Sequence, residues 1–161
     1  MPTNAATLET LTIAPLRPPL TMSRAERGIA DVRCSSAAPD FTYEAGYAGV
    51  SELLSTGPRP DALFCANDLI AFGAIDAMRT DFGLQCPEDV LVAGFDDIPP
   101  AAWKGYGLTS FVQDAESMVD ATLAIIEGQR PPQGGNLTRV IEARLVERSS
   151  TDGARFRHGR R

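Results

Sequence analysis

The chain has 161 residues, 43% apolar and 22% charged, the make-up of one soluble globular domain. Fifteen Lys and Arg stand against 21 Asp and Glu, a formal net charge of −6 with a sequence pI of about 4.7. That balance argues against a chain that grips nucleic-acid phosphates or anionic lipid by itself. No apolar run reaches bilayer length, and no basic stretch followed by an apolar core opens the chain, so neither a membrane span nor a secretory signal is expected. Cys34, Cys65 and Cys86 form an odd set without CxxC spacing, which predicts no disulfide framework and no metal site, and a cytoplasmic setting. The one histidine, His158, lies in a basic tail with Arg155, Arg157, Arg160 and Arg161, which excludes a histidine base on the folded body.

In chain order, residues 1–22 read as a poorly structured, proline-rich segment in which only Leu8–Leu16 hints at a strand. From Arg24 to Asp40 the pattern stays weak, and Cys34-Ser35-Ser36-Ala37-Ala38-Pro39 reads as loop, so order is expected from Phe41. Tyr43, Tyr47, Val50 and Leu54 recur at helical steps until Gly57-Pro58 stops them. Ala62–Ala66 is a short apolar run suited to a strand covered on both faces. Leu69, Phe72, Ile75 and Met78 then predict a helix ending near Phe82-Gly83. Asp89–Phe95 is a second buried strand, Asp96–Pro100 opens a short turn carrying Trp103, and Leu108–Val112 is a third strand. Met118, Val119, Thr122, Leu123 and Ile126 mark a further helix closed by Gly128 and Pro131-Pro132, and Arg139–Val146 alternates like an edge strand. Strand and helix alternating at this spacing predict an α/β fold, a parallel sheet flanked by helices. Residues 23–150 form its folded body, and residues 151–161 a disordered basic tail.

In an open parallel sheet, ligands sit at the carboxyl ends of the strands. Three of the predicted strands end in polar pairs: Asn67-Asp68, Asp96-Asp97 and Gln113-Asp114. Carboxylates and amides along one edge suit a polyhydroxylated or otherwise polar small molecule. Phe41 could offer such a ligand an apolar face. Each has a plainer reading. Asp68 and Asp97 precede helical segments and read first as N-caps, with prolines tolerated in the first turn after Asp97. Asp96 is left free by a capping neighbour. Phe41, Phe95 and Trp103, taken singly, read as packing residues, and Cys65 as a small buried hydrophobe. No GxxxxGK[ST], GxGxxG or GxSxG motif is present, and catalysis would fall to an Asp or Cys65 alone, so no enzyme is expected.

Five pieces in fixed order carry a resemblance. They are Phe41-Thr-Tyr-Glu-Ala-Gly-Tyr, Pro60–Ala74 (PDALFCANDLIAFGA), Cys86–Ile98 (CPEDVLVAGFDDI), Leu108–Asp114 (LTSFVQD) and Leu145-Val-Glu-Arg-Ser-Ser. Together they resemble the effector-binding region of LacI/GalR transcriptional regulators over about two-thirds of the chain. The resemblance implies part of a type I periplasmic-binding-protein-like fold. It makes Phe41 the aromatic packed against the effector and Asn67 and Asp68 polar contacts. Asp96 becomes the carboxylate for ligand hydroxyls or N–H groups, and Gln113 a ligand-side residue at a crossover between two subdomains. An Arg just before a Gly belongs to the same set; here Arg24 precedes Gly28 by four residues, where the family more often has three.

The resemblance further implies a small-molecule effector, a sugar or a nucleoside or purine, with no cofactor. It implies a homodimer, and DNA contact only through a helix-turn-helix that these residues do not include. The segment from about Asp114 to Gly128 would belong to the other subdomain, leaving the stripe of Met118, Val119, Leu123 and Ile126 without its sheet. Two other functions stand beside the regulator reading: a sugar-binding receptor of a transport system, and a non-functional fragment.

Overall fold

A computed structural model describes residues 10–13, 31–36, 40–127 and 141–153. Arg24, the turn from Gly128 to Pro132 and residues 154–161 lie outside them; order runs past the expected boundary at Ser150, because Thr151 closes a 3-10 turn and its hydroxyl pairs with that of Thr109. The described elements are β1 (Thr10–Ile13), β2 (Asp31–Arg33), α1 (Tyr43–Thr56), β3 (Ala62–Phe64), α2 (Asp68–Asp81) and β4 (Leu91–Phe95). A 3-10 turn (Pro99–Ala102), β5 (Thr109–Val112), α3 (Ala115–Ile126), β6 (Arg144–Val146) and a last 3-10 turn (Ser149–Thr151) complete them. They form a six-stranded sheet in the order β2-β1-β3-β4-β5-β6, parallel except for β6, which runs antiparallel to β5.

Helices and central strands fall where the apolar spacing puts them. At the N-terminal end β1 falls within the Leu8–Leu16 stretch that hints at a strand, whereas β2 is unforeseen and puts ordered sheet ahead of Phe41. β2 is only Asp-Val-Arg, too short to show an alternation, and it is held by side chains that carry no local signal. Arg33 donates from Nη1 to the Leu53 carbonyl at 3.0 Å, in the last turn of α1, and from Nη2 to the Pro58 carbonyl just beyond it, placing a cation at the helix C-terminus. Ser35 and Ser36 hydroxyls, each at 2.8 Å, and the Ser36 N–H at 3.1 Å donate to the Glu52 carboxylate. β6 is shorter than the alternation from Arg139 suggests, since Ile141–Ala143 are not strand.

The crossovers β2–α1–β3 and β3–α2–β4 run in the same direction along the sheet, and right-handed connections then place both helices on one face. The core lies under them: Val50 and Leu53 of α1, Ile70, Ile75 and Met78 of α2, and Leu63, Val90, Val92 and Leu108 from the sheet side. The two helices touch backbone to backbone. A Cβ at Gly46 would overlap the Ile70 carbonyl, and one at Gly73 the Tyr43 carbonyl. On the opposite face Phe64, Phe95 and Phe111 form a half-buried aromatic row, with ring centroids 6.4 Å apart for Phe64–Phe111 and 6.0 Å for Phe95–Phe111.

Candidate functional site

Because β3, β4 and β5 are parallel, Asn67-Asp68, Asp96-Asp97 and Gln113-Asp114 all emerge at one edge of the sheet. Beside them is the point where strand order reverses, since the chain leaves β1 outward to β2 and returns through α1 to β3. Such a reversal opens a crevice at the strands' carboxyl ends.

Asn67, not Asp68, caps α2. Its Oδ1 accepts from the Ile70 N–H at 2.9 Å, and its Nδ2 donates to the Phe41 carbonyl at 3.1 Å. One buried amide thus closes the helix and ties down the residue ahead of α1, leaving the Phe41 ring 60% exposed at the edge. Trp103 is 61% exposed. The packing readings of Phe41 and Trp103 are therefore corrected. Each ring stands at the end of an element, beyond the reach of the core that its apolar character would otherwise fill.

Asp68 is the second correction. Sitting one position inside α2, it turns its carboxylate into the protein and has no exposed surface. Oδ1 accepts from the Ser110 hydroxyl at 2.6 Å and Oδ2 from the Ile98 N–H at 2.9 Å. Burial raises the pKa of this carboxyl, against the lowering effect of those two hydrogen bonds. A group so enclosed braces the turn at residues 96–98. Gly94 makes room for it, since a Cβ there would overlap Asp68 Oδ1.

The brace holds an unusual turn. Asp96 has φ 108° and Asp97 φ 53°, left-handed backbone that costs about 1 kcal/mol or more per non-glycine residue, although Asp is among the side chains that visit it. The Asp96 N–H donates to the Phe111 carbonyl at 2.8 Å, the Asp97 N–H to Ser110 Oγ at 3.1 Å. Asp97 does not cap the following 3-10 turn, which has Ile98 at its N-cap and no side-chain capping bond. Its Oδ1 instead lies 2.7 Å from Arg148 Nη2, an ion pair made off the N–H axis and mostly shielded from water, while Arg148 Nη1 donates to the Leu108 carbonyl at 2.7 Å.

With Asp97 committed to Arg148, Asp96 turns outward and its Oδ1 accepts from Gln113 Nε2 at 2.8 Å. This brings together two side chains 17 residues apart on neighbouring strand ends, an acceptor-rich carboxylate beside an amide with a free carbonyl lone pair. Asp114 is spent on α3, where its carboxylate accepts from the Ser117 N–H at 3.0 Å and hydroxyl at 2.6 Å; these bonds hold its pKa below the usual carboxylate range. Cys65 is buried, and burial pushes its thiol up to about 12, so it is no nucleophile at neutral pH.

The structure thus links Phe41 to Asn67, Asp68 to the 96–98 turn, and Asp96 to Gln113, along one edge. Arg24 lies outside the described residues. Ser110 and Arg148 lie within the pieces Leu108–Asp114 and Leu145–Ser150 that carry the resemblance, but nothing in their spacing assigns either a role.

The model of the periplasmic binding protein-like domain matches residues 17–151. The HTH-type transcriptional repressor PurR of Yersinia enterocolitica is 34% identical over 127 residues, which cover 76% of this chain and 36% of PurR. A sugar-binding transcriptional regulator of the LacI family from Escherichia coli, solved in complex with phosphate, superposes with a TM-score of 0.71. It is 26% identical, over 91% of this chain and 56% of that one. The transcriptional regulator CelR in complex with cellobiose gives a TM-score of 0.69 at 28% identity, over 89% and 47%. The chain spans about a third of the length of the curated repressors that it matches. It belongs to the periplasmic binding protein-like domain family, in the form that serves LacI/GalR-type transcriptional regulators as their effector-binding region.

Proposed function

We propose that this chain supplies one wall of an effector site, with Phe41, Asp96 and Gln113 meeting the ligand and Asn67 and Asp68 holding those residues in place. The observation that carries the reading is the outward-facing Asp96–Gln113 pair at the carboxyl edge of parallel strands. A carboxylate and an amide side by side accept and donate to adjacent hydroxyls, or to the N–H and carbonyl groups of a base, and an exposed aromatic ring can cover the apolar face of either. A sugar is preferred over a nucleoside or purine, because one similar regulator is sugar-binding and another, CelR, holds cellobiose. Arg24 joins the site as a further ligand contact.

The molecule acts in the cytoplasm as the effector-binding and dimerisation part of a LacI/GalR-type regulator and carries out no catalysis. DNA is contacted through a helix-turn-helix outside these 161 residues, and effector binding shifts the population of its DNA-bound state. Trp103 and Leu69, apolar and exposed, are the side chains on which a homodimer contact is expected.

Heteronuclear NMR titration of the 161-residue chain with cellobiose, lactose and guanosine tests the site. Shifts concentrated at Phe41, Asp96 and Gln113 with one sugar support the reading. Shifts confined to α3, or none with any of the three at millimolar concentration, count against it.

A further inference from the structure

The buried polar cluster behind the 96–98 turn has a use that the ligand-facing residues do not explain. Asp68 is fully enclosed, yet it does not cap its own helix. Both its oxygens serve a segment 30 to 42 residues away. Ser110, also fully enclosed, donates to Asp68 Oδ1 and accepts from the Asp97 N–H. The Ile98 N–H closes the circuit on Asp68 Oδ2. Two consecutive backbone N–H groups, those of Asp97 and Ile98, thus end on one carboxylate, one directly and one through a hydroxyl. These are the groups that an ordinary extended continuation of β4 would direct elsewhere. Burying a carboxylate is costly without such partners, so the arrangement stands or falls as a unit.

We propose that Asp68 and Ser110 are positioning residues for Asp96. Through the Asp97 and Ile98 N–H groups they hold the left-handed turn that brings the Asp96 carboxylate onto Gln113. Gly94 is part of the device, being the position where any side chain would evict Asp68 Oδ1. The proposal rests on the ligand reading of Asp96 only for its consequence in binding; the backbone effect is independent of any ligand.

Ser110→Ala removes both the hydroxyl donor and the acceptor of the Asp97 N–H. Asp68→Asn keeps an acceptor oxygen for the Ile98 N–H but faces the Ser110 hydroxyl with an amide donor, so that bond must reverse and loses its charge. Backbone NMR of the full chain, without ligand, reads the conformation of residues 96–98 and the Gln113 side-chain amide. Met78→Ala, buried away from this turn, serves as a control for general destabilisation.

The expected result is that Ser110→Ala shifts the Asp96, Asp97 and Ile98 signals out of the left-handed pattern and frees the Gln113 amide, while Met78→Ala leaves all of them in place. Asp68→Asn shows the same change in smaller degree, and decides the matter should Ser110→Ala fail to fold. For a sugar that the wild-type chain binds, cellobiose being the probe, the midpoint rises about tenfold in Ser110→Ala, the scale of one well-placed hydrogen bond. Asp96 and Gln113 signals unchanged in both variants overturn the proposal, as do equal changes in Met78→Ala. A wild-type chain indifferent to cellobiose counts against the sugar reading alone, because the backbone signals are read without it.

Discussion

α2 and α3 are both announced by apolar residues at helical spacing and have opposite fates in the structure. Nine of the fourteen residues of α2 are buried, against α1 on one side and the sheet on the other. Of the twelve residues of α3 only Ala121 is buried; Val119 is 57% exposed, Leu123 49% and Ile126 73%. The difference lies in what each helix follows. α2 is the crossover between two adjacent parallel strands and is laid onto their sheet by connection handedness. α3 joins β5 to the antiparallel β6, and among the described residues no layer receives its stripe. Period alone thus specifies that a helix forms and which side is apolar, whereas burial depends on the topology around it.

This contrast can be broken by substitution. Met78→Ala removes a fully buried side chain and should lower unfolding free energy by about 3 kcal/mol, read as a fall in the urea midpoint. Gly73→Ala forces the α1–α2 crossing apart and should cost about 2 kcal/mol by the same measurement. A value near zero would mean that the helices can separate freely. Asn67→Ala loses the α2 cap and the tether on Phe41, for about 1–2 kcal/mol.

The pH dependence of stability carries a smaller effect. The Asp68 carboxyl has a raised pKa in the folded state, so the native form holds more protons than the unfolded one between the ordinary Asp value and the raised one. Through that window stability from this group falls as pH rises, and it is flat above. The difference in unfolding free energy between wild type and Asp68→Asn should therefore change across the acidic range and level off toward neutrality; a difference constant from pH 3 to 7 would contradict the raised value. Smallest of all, Ile126→Lys on the open face of α3 should alter stability by no more than about 0.5 kcal/mol. A loss as large as that of Met78→Ala, read from the urea midpoint, would show that α3 has a covering layer after all.

Much of this architecture is legible in the amino acids. The runs at Ala62–Phe64 and Leu91–Phe95 are apolar on both sides, with Leu63 and Val92 under the helices and Phe64 and Phe95 in the half-buried aromatic row opposite, and the helices keep their 3.6-residue rhythm. The edge strand β2 escapes notice because three residues hold no period and its anchors, Arg33 and Ser35, act through Leu53, Pro58 and Glu52 far along the chain. At the candidate site, residue types were readable and their division of labour was not. Asn67 and Asp68 are neighbours with similar side chains, and which one caps was decided by a buried serine 42 positions from Asp68. Asp96 is the free member of its pair as the sequence suggests, but because Arg148 claims Asp97 and not because Asp97 caps a helix. Such assignments come from tertiary partners, which spacing along the chain does not encode.

The central claim is that Asp96 and Gln113 face a ligand at the carboxyl edge of the sheet. The most direct measurement is a cellobiose titration of the 161-residue chain and its Asp96→Ala variant, followed by the side-chain amide signal of Gln113. Saturable movement of that signal in the wild-type chain, abolished in Asp96→Ala, is the predicted result. Saturation with the same midpoint in both chains, or saturable binding that leaves the Gln113 amide unmoved, would contradict it.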